Sequence, residues 1–355
     1  MSVETDAAPV APDSAGRRIE PLPADALQRA YDLGLWAEVR AMPAGKSQHY
    51  FLTAGLGRFI LRRSYRAKQP EGVQFEHELV AHLRAHGFPG PEFVLTRDGE
   101  PFAVVDGRLW RVSVFVTGRP ARQAHPGDAA AAARALAQYH ELVDGFSASV
   151  PTPEAPLVPW ALADRLAAVI ARLDQRPAIP AGEVGASLDY ALERAEAVTT
   201  RLQELYQTLP MTTIHAGCRR GSTLFDEERL AVVLDFDSAH REARALDVAV
   251  AVHDFAKLYG DPESIDYKVH LDPAVAGHFV GAYHAEAPLS AAEVEAIPLL
   301  LLAKRLKRAL GRYERLLAGE PLSVNDVKKI ALEVARVRSL TERDGLVPVL
   351  TASTA

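Results

Sequence analysis

Between Thr213 and Asp237 the chain reads TIHAGCRRGSTLFDEERLAVVLDFD, and this stretch limits the fold more than any other. A short apolar strand ends in His215, and a tight loop follows with Gly217, Cys218, Arg219, Arg220 and Gly221. Thr223-Leu224-Phe225 then enters a turn at residues 226–228, and a second apolar strand, 231–234, ends on the acids Asp235 and Asp237. Polar residues delivered by two strand ends side by side form the frame of a small metal and phosphate site, because strands fix side-chain positions.

Upstream, Leu27, Ala30, Leu33 and Leu35 have helical spacing and predict a short leading helix within residues 23–40. Residues 44–52, a turn at Gly55-Leu56-Gly57 and residues 58–63 read as strand, turn, strand. Gly45-Lys46-Ser47 is not a P-loop, since Arg40 stands where that motif has its first glycine. Phe75, Leu79, Val80 and Leu83 share one face of a helix over 75–86, ended by Gly87 and carrying Glu76. Strands follow at 102–105 and 110–116. An Ala-rich helix covers 128–143, and amphipathic helices cover 161–173 and 188–209. The last part is helical, with a basic stripe of Lys304, Arg305, Lys307, Arg308, Arg312 and Arg315 and a helix start near Ser323.

With 355 residues, 48% of them hydrophobic, the chain can bury a core of one large or two ordinary domains. A net charge of -6 gives no global reason to bind nucleic acid. One cysteine, Cys218, excludes an internal disulfide, and a reducing cytoplasm is the simplest compartment. No apolar run reaches the length of a membrane span. Residues 1–17 read as a disordered tail and 346–355 as a loose one.

The 213–237 stretch resembles the catalytic loop and metal-binding strand of the superfamily of aminoglycoside phosphotransferases, choline kinases and homoserine kinases. The likeness extends over roughly residues 30–320. It implies an α+β, two-lobed, protein-kinase-like fold, with a small lobe (18–117) of antiparallel sheet plus helix and a mainly helical lobe (118–345) carrying the catalytic hairpin. ATP and magnesium are the expected cofactors. By resemblance Arg62, steadied by Glu76, touches the nucleotide phosphates, and the hinge at Phe115, Val116 and Thr117 takes an adenine edge. Asp235 holds magnesium with help from Asp237 and Ser222, His215 is a structural loop histidine, and Asp247 steadies the loop. The chain departs from the pattern twice. Gly217 occupies the place of the catalytic Asp, and Ser222 the place of the metal-binding Asn. In kinase chemistry the first receives or orients the acceptor's proton and the second holds a metal.

Four readings follow. The chain is a pseudokinase-like binder of a nucleotide or metabolite, with phosphoryl transfer weakened or lost. Alternatively it is an active kinase whose base has moved to Asp237 or to an acid of the helical insertion. A third reading makes Cys218 the nucleophile of a different transfer, and a fourth puts zinc on His215, Cys218 and Asp235. The basic stripe argues for an anionic or zwitterionic small molecule over a polycation, and Arg219 and Arg220 would supply positive charge near the phosphates, partly replacing a missing metal.

Overall fold

A computed structural model describes residues 22–42, 47–64, 69–175, 183–259, 270–320, 324–342 and 351–354. The expected tail at 1–17, the turn at Gly45, the helix start at Ser323 and residues 346–350 lie outside them. The described residues fall into two compact units: those up to Ala81 with 90–117 and 148–151, and those at 82–89, 118–147 and from 152 onward.

The first unit holds helix α1 (Ala24–Ala30) and a sheet of six antiparallel strands: β1 (Trp36–Ala41), β2 (Gln48–Ala54), β3 (Gly57–Arg63), β4 (Phe93–Val94), β5 (Ala103–Val105) and β6 (Arg108–Val114). The order is β1-β2-β3-β6-β4, with β5 also on β6. Alternation explains the register: Tyr50, Leu52, Phe59 and Leu61 turn to one face and pack with Leu27, Tyr31, Trp110 and Val112. Tyr31 anchors this core by donating to the Trp110 carbonyl at 2.8 Å and accepting from the Ala103 amide at 3.1 Å. Asp106 and Gly107, both with positive φ, turn β5 into β6, as expected of a two-residue Asp-Gly hairpin.

Two expectations are corrected here. The leading helix stops at Ala30, and Trp36–Ala41 is an edge strand. The helix ends at Tyr31, whose backbone is extended (φ -118°, ψ 142°) and whose hydroxyl is bonded into the sheet at Trp110 and Ala103. Gly34, at φ +76°, then turns the chain toward the strand, and a Cβ there would lie 3.0 Å from the Gly55 Cα, so only glycine lets the two chain segments touch. The second helix, α2 (Pro70–Ala85), begins a turn and a half before the apolar pattern does. Pro70 starts it, since proline is pre-set for the first helical turn.

In the second unit, helices α3 (Pro126–Asp144), α4 (Val158–Gln175), α5 (Glu183–Leu205), α6 (Arg244–Ala256), α7 (Pro273–Glu286), α8 (Ala291–Leu317) and α9 (Val324–Glu342) surround two small sheets. One sheet joins β7 (Arg119–Pro120), β9 (Thr223–Asp226) and β10 (Arg229–Val233), and the other joins β8 (Met211–Ile214) and β11 (His240–Ala243). Helix α8 packs against α4, α5, α6 and α9. Its start is fixed by a capping box between Ser290 and Glu293. The buried Glu293 also takes Arg244 at 2.6 Å, which ties the first turn of α6 to the first turn of α8. Among the described residues no helix is long and apolar enough to cross a membrane.

Candidate active site

The site is assembled where β8 leaves the small sheet and β10 ends. The β9–β10 hairpin has the form the sequence predicts, turning through Glu227, whose φ is +51°. Between β8 and β9 the chain closes on itself, and every closing contact is identifiable. His215 is buried beside Tyr139 and Phe236. Its Nδ1 accepts from the Gly217 amide at 3.0 Å and its Nε2 donates to the Leu234 carbonyl at 3.1 Å. Because an amide only donates and a carbonyl only accepts, these bonds fix one neutral tautomer. Burial lowers the His215 pKa, in agreement. His215 is thus a brace between the loop and the strand that carries Asp235.

Asp247, in the first turn of α6, holds the loop from the other side. Fully buried, it accepts from the amides of His215 at 2.5 Å and Ala216 at 2.7 Å, with His140 Nε2 at 3.3 Å. This is the steadying role expected from the sequence. Ala216 takes φ +59° between the two anchored amides, a left-handed conformation that the contacts impose.

Gly217 lies beside the end of β10. A Cβ built on it would meet His215 Nδ1 at 3.3 Å and the Asp235 carbonyl at 3.5 Å. Asp235 is exposed and sits at φ +72°, a strained conformation of the kind that gathers at functional positions. Asp237 follows on a single helical turn, Phe236–Ser238, half-buried, with Ser238 Oγ donating to its Oδ1 at 3.3 Å.

Ser222 is turned inward. Its Oγ accepts from the Arg219 amide at 2.9 Å and lies 2.7 Å from the Gly217 carbonyl and 3.0 Å from that of Arg219. The hydroxyl thus closes the loop. The two loop arginines also differ. Arg220 is spent on structure: its backbone and side chain bond Asp254, and its guanidinium bonds and stacks on Tyr259. Arg219 is exposed.

The cysteine reading meets a buried thiol, and the zinc reading meets a histidine whose two ring nitrogens are already engaged by the Gly217 amide and the Leu234 carbonyl. Cys218 is 1% exposed, and burial, then Asp247 and Asp254, push its thiol well up, the opposite of thiolate activation. The one trio of potential metal ligands among the described residues is His125, Asp128 and Glu228. There Asp128 already receives Arg119 at 2.6 Å and Arg122 at 2.8 Å, so guanidinium charge stands where a metal would.

In the sheet unit, Arg62 on β3 reaches Ser47 Oγ at 3.4 Å. Glu76 forms a buried ion pair of 2.8 Å with Arg111 on β6, a residue the sequence reading passes over. Arg111 is the cross-strand partner of Arg62, so Glu76 offsets the repulsion of two like charges placed side by side. A signal existed in the sequence, since Arg111 is the one charged residue in the strand expected at 110–116. At the strand's end, the Phe115 amide bonds the Arg58 carbonyl at 2.9 Å, and Arg58 also reaches Thr117 Oγ1 at 3.1 Å. Val116 makes no backbone hydrogen bond to another described residue.

Residues 18–293 match the family described as phosphotransferase enzyme family. The chain belongs to that family. It is 28% identical over 302 residues to a homoserine kinase of Methylobacillus flagellatus, covering 84% of this chain and 87% of the relative. Among solved structures it resembles an aminoglycoside phosphotransferase from Alicyclobacillus acidocaldarius, with TM-score 0.69 and 16% identity over 96% of this chain and 98% of the other. It also resembles an amicoumacin kinase in complex with AMP-PNP, Ca2+ and Ami, with TM-score 0.66 and 15% identity over 90% and 93%. The fold of this phosphotransferase-family protein is therefore the two-lobed kinase-like α+β fold that the sequence predicts.

Proposed function

We propose that this phosphotransferase-family protein binds a nucleotide and a small metabolite with phosphoryl transfer weakened or lost. One observation carries the reading: the loop's conformation is intact and tightly braced, yet Gly217 offers no carboxylate beside Asp235. Loss of a general base typically lowers a rate by about 10²–10⁴. Ser222, bonded into the loop, adds no donor toward a metal. The carboxylates of Asp235 and Asp237 remain as oxygen donors suited to magnesium. In this reading Asp235 holds the metal, and Asp237 assists. Arg62 takes the phosphates, with Glu76 balancing the charge of its neighbour Arg111, and the open backbone of Val116, between Phe115 and Thr117, takes the base. Magnesium, when bound, supplies charge neutralisation at the phosphates.

A second reading has support of its own. The relative named homoserine kinase covers most of this chain, and phosphoryl transfer depends more on positioning and charge than on a base. Asp237, on the same turn as Asp235, would then orient the hydroxyl of a zwitterionic acceptor. Two measurements separate the readings. The first is a thermal shift with ATP, with and without magnesium, in which a metal-dependent rise of several degrees is expected. The second is ADP release with ATP, magnesium and homoserine, expected to stay at background. Sustained release would establish the active kinase, and no shift with either addition would remove the nucleotide site.

A further inference from the structure

Arg219, the loop arginine not spent on structure, opens into a cavity of about 200 Å³ within the helical unit. Six cations from four separate segments line it: Arg219 from the loop, Lys257 beyond α6, Lys304, Arg305 and Arg308 from α8, and Arg336 from α9. Two carboxylates answer them. Asp254 pairs with Lys257 at 2.9 Å, and Glu333 serves both Arg305 and Arg336. Among the described residues no carboxylate forms a salt bridge to Arg219, Lys304 or Arg308.

Concentrating this positive charge in one concavity is costly without a ligand, because burial weakens the solvation of Lys304 and the exposed guanidiniums of Arg219 and Arg308 repel it. The titration of the lining groups agrees with this. Lys304 is pushed down to about 7 by burial and by Arg219, Arg308 and Arg305, against a weaker pull from Asp247. His253 is held neutral by burial and by Arg305, Lys257, Lys304 and Arg336.

We propose that this cavity binds a small phosphomonoester, with Arg219 and Arg308 on its anionic oxygens and Lys304 beneath. A phosphate dianion offers oxygens in several directions, which suits guanidinium and ammonium groups converging from different segments. The volume admits a phosphate on a short carbon body. It is smaller than the several hundred Å³ of sites for drug-sized ligands, so it suits a small ester rather than a whole nucleotide. The inference rests on the binding reading above and names its ligand.

The test is calorimetric titration of the full chain, without nucleotide, using glycerol 3-phosphate, inorganic phosphate, citrate and glycerol as probes. Glycerol 3-phosphate is expected to bind, glycerol not, and the affinity to fall as salt is raised. Arg219→Ala and Arg308→Ala should each weaken binding about tenfold or more, as loss of a charge-assisted hydrogen bond does. Both side chains are exposed, so melting temperature should hold. Lys304→Met should also weaken binding while melting no lower than the parent, since it removes a repelled charge. Absence of phosphate-ester binding, preference for citrate, or unchanged affinity in the two arginine variants would each overturn the proposal. Phosphoryl transfer by the parent chain, measured separately, would sink the binding reading and leave the titration result standing.

Discussion

Gly217→Asp combined with Ser222→Asn is expected to raise ATP turnover about 10²-fold or more over the parent chain, the usual contribution of a positioned general base. The backbone permits it. Gly217 does not occupy the left-handed region, so a side chain adds no torsional strain there. The new Cβ would sit 3.3 Å from His215 Nδ1 and 3.5 Å from the Asp235 carbonyl. The first contact requires the imidazole to give by a few tenths of an ångström. An aspartate at this position projects from a point next to the residue proposed to hold the metal, where an acceptor hydroxyl would be deprotonated. ADP release is the measurement, and Asp235→Asn added to the double variant should abolish the gain. An unchanged rate, in a variant that still melts like the parent, would mean that the site has lost more than two side chains.

The second large effect concerns Asp247. Its replacement by alanine leaves the amides of His215 and Ala216 buried without acceptors, at a cost of about 2–6 kcal/mol, roughly 1–3 for each orphaned amide. A typical domain has about 5–15 kcal/mol in all, so the helical unit should become marginal in urea unfolding. Asp247→Asn keeps one acceptor oxygen and should lose less. The charge also sets a pH dependence. Burial alone would raise the Asp247 pKa, but His140 and the His215 amide more than offset it, and the net shift is downward. A carboxylate with a lowered folded pKa contributes stability in full above its unfolded value of about 4 and loses it as pH falls through the folded value. The parent chain should therefore weaken below about pH 4, and Asp247→Asn should weaken less steeply there. Asp128, Asp254 and Glu293, also shifted down by their cationic partners, keep the remaining slope. Identical acid limbs would remove Asp247 from this role.

Local grammar made much of this fold and site legible. The hairpin at Thr223–Asp226 and Arg229–Val233 was readable because apolar runs flank a polar turn, and the loop's dependence on Asp247 followed from resemblance over a contiguous segment. What escaped was set by pairing across distance. Glu76 on α2 meets Arg111 on β6, and the β3–β6 register sets Arg62 beside that pair, three residues brought together from separate elements. The cysteine lies between a histidine and two arginines in sequence, which suggests an activated thiol, whereas folding turns it inward where no cation compensates burial. The basic stripe of α8 looked uniform, yet its helical period divides it. Lys304, Arg305 and Arg308 face the cavity, Lys307 is exposed, and Arg315 pairs with Glu320. Edge strand β1 is not legible from apolar spacing, because the helix ends where the Tyr31 hydroxyl is drawn to Trp110 and Ala103, partners 79 and 72 residues away.

The hydroxyl of Ser222 bears on how this lineage can change. Asparagine alone at that place would forfeit the bonds that now close the loop, and while Gly217 remains it would bring no base in return. An aspartate alone at 217 would arrive without the second metal donor. The order of change therefore matters: an aspartate at 217 enters a loop that stays braced, whereas an asparagine at 222 loosens it first.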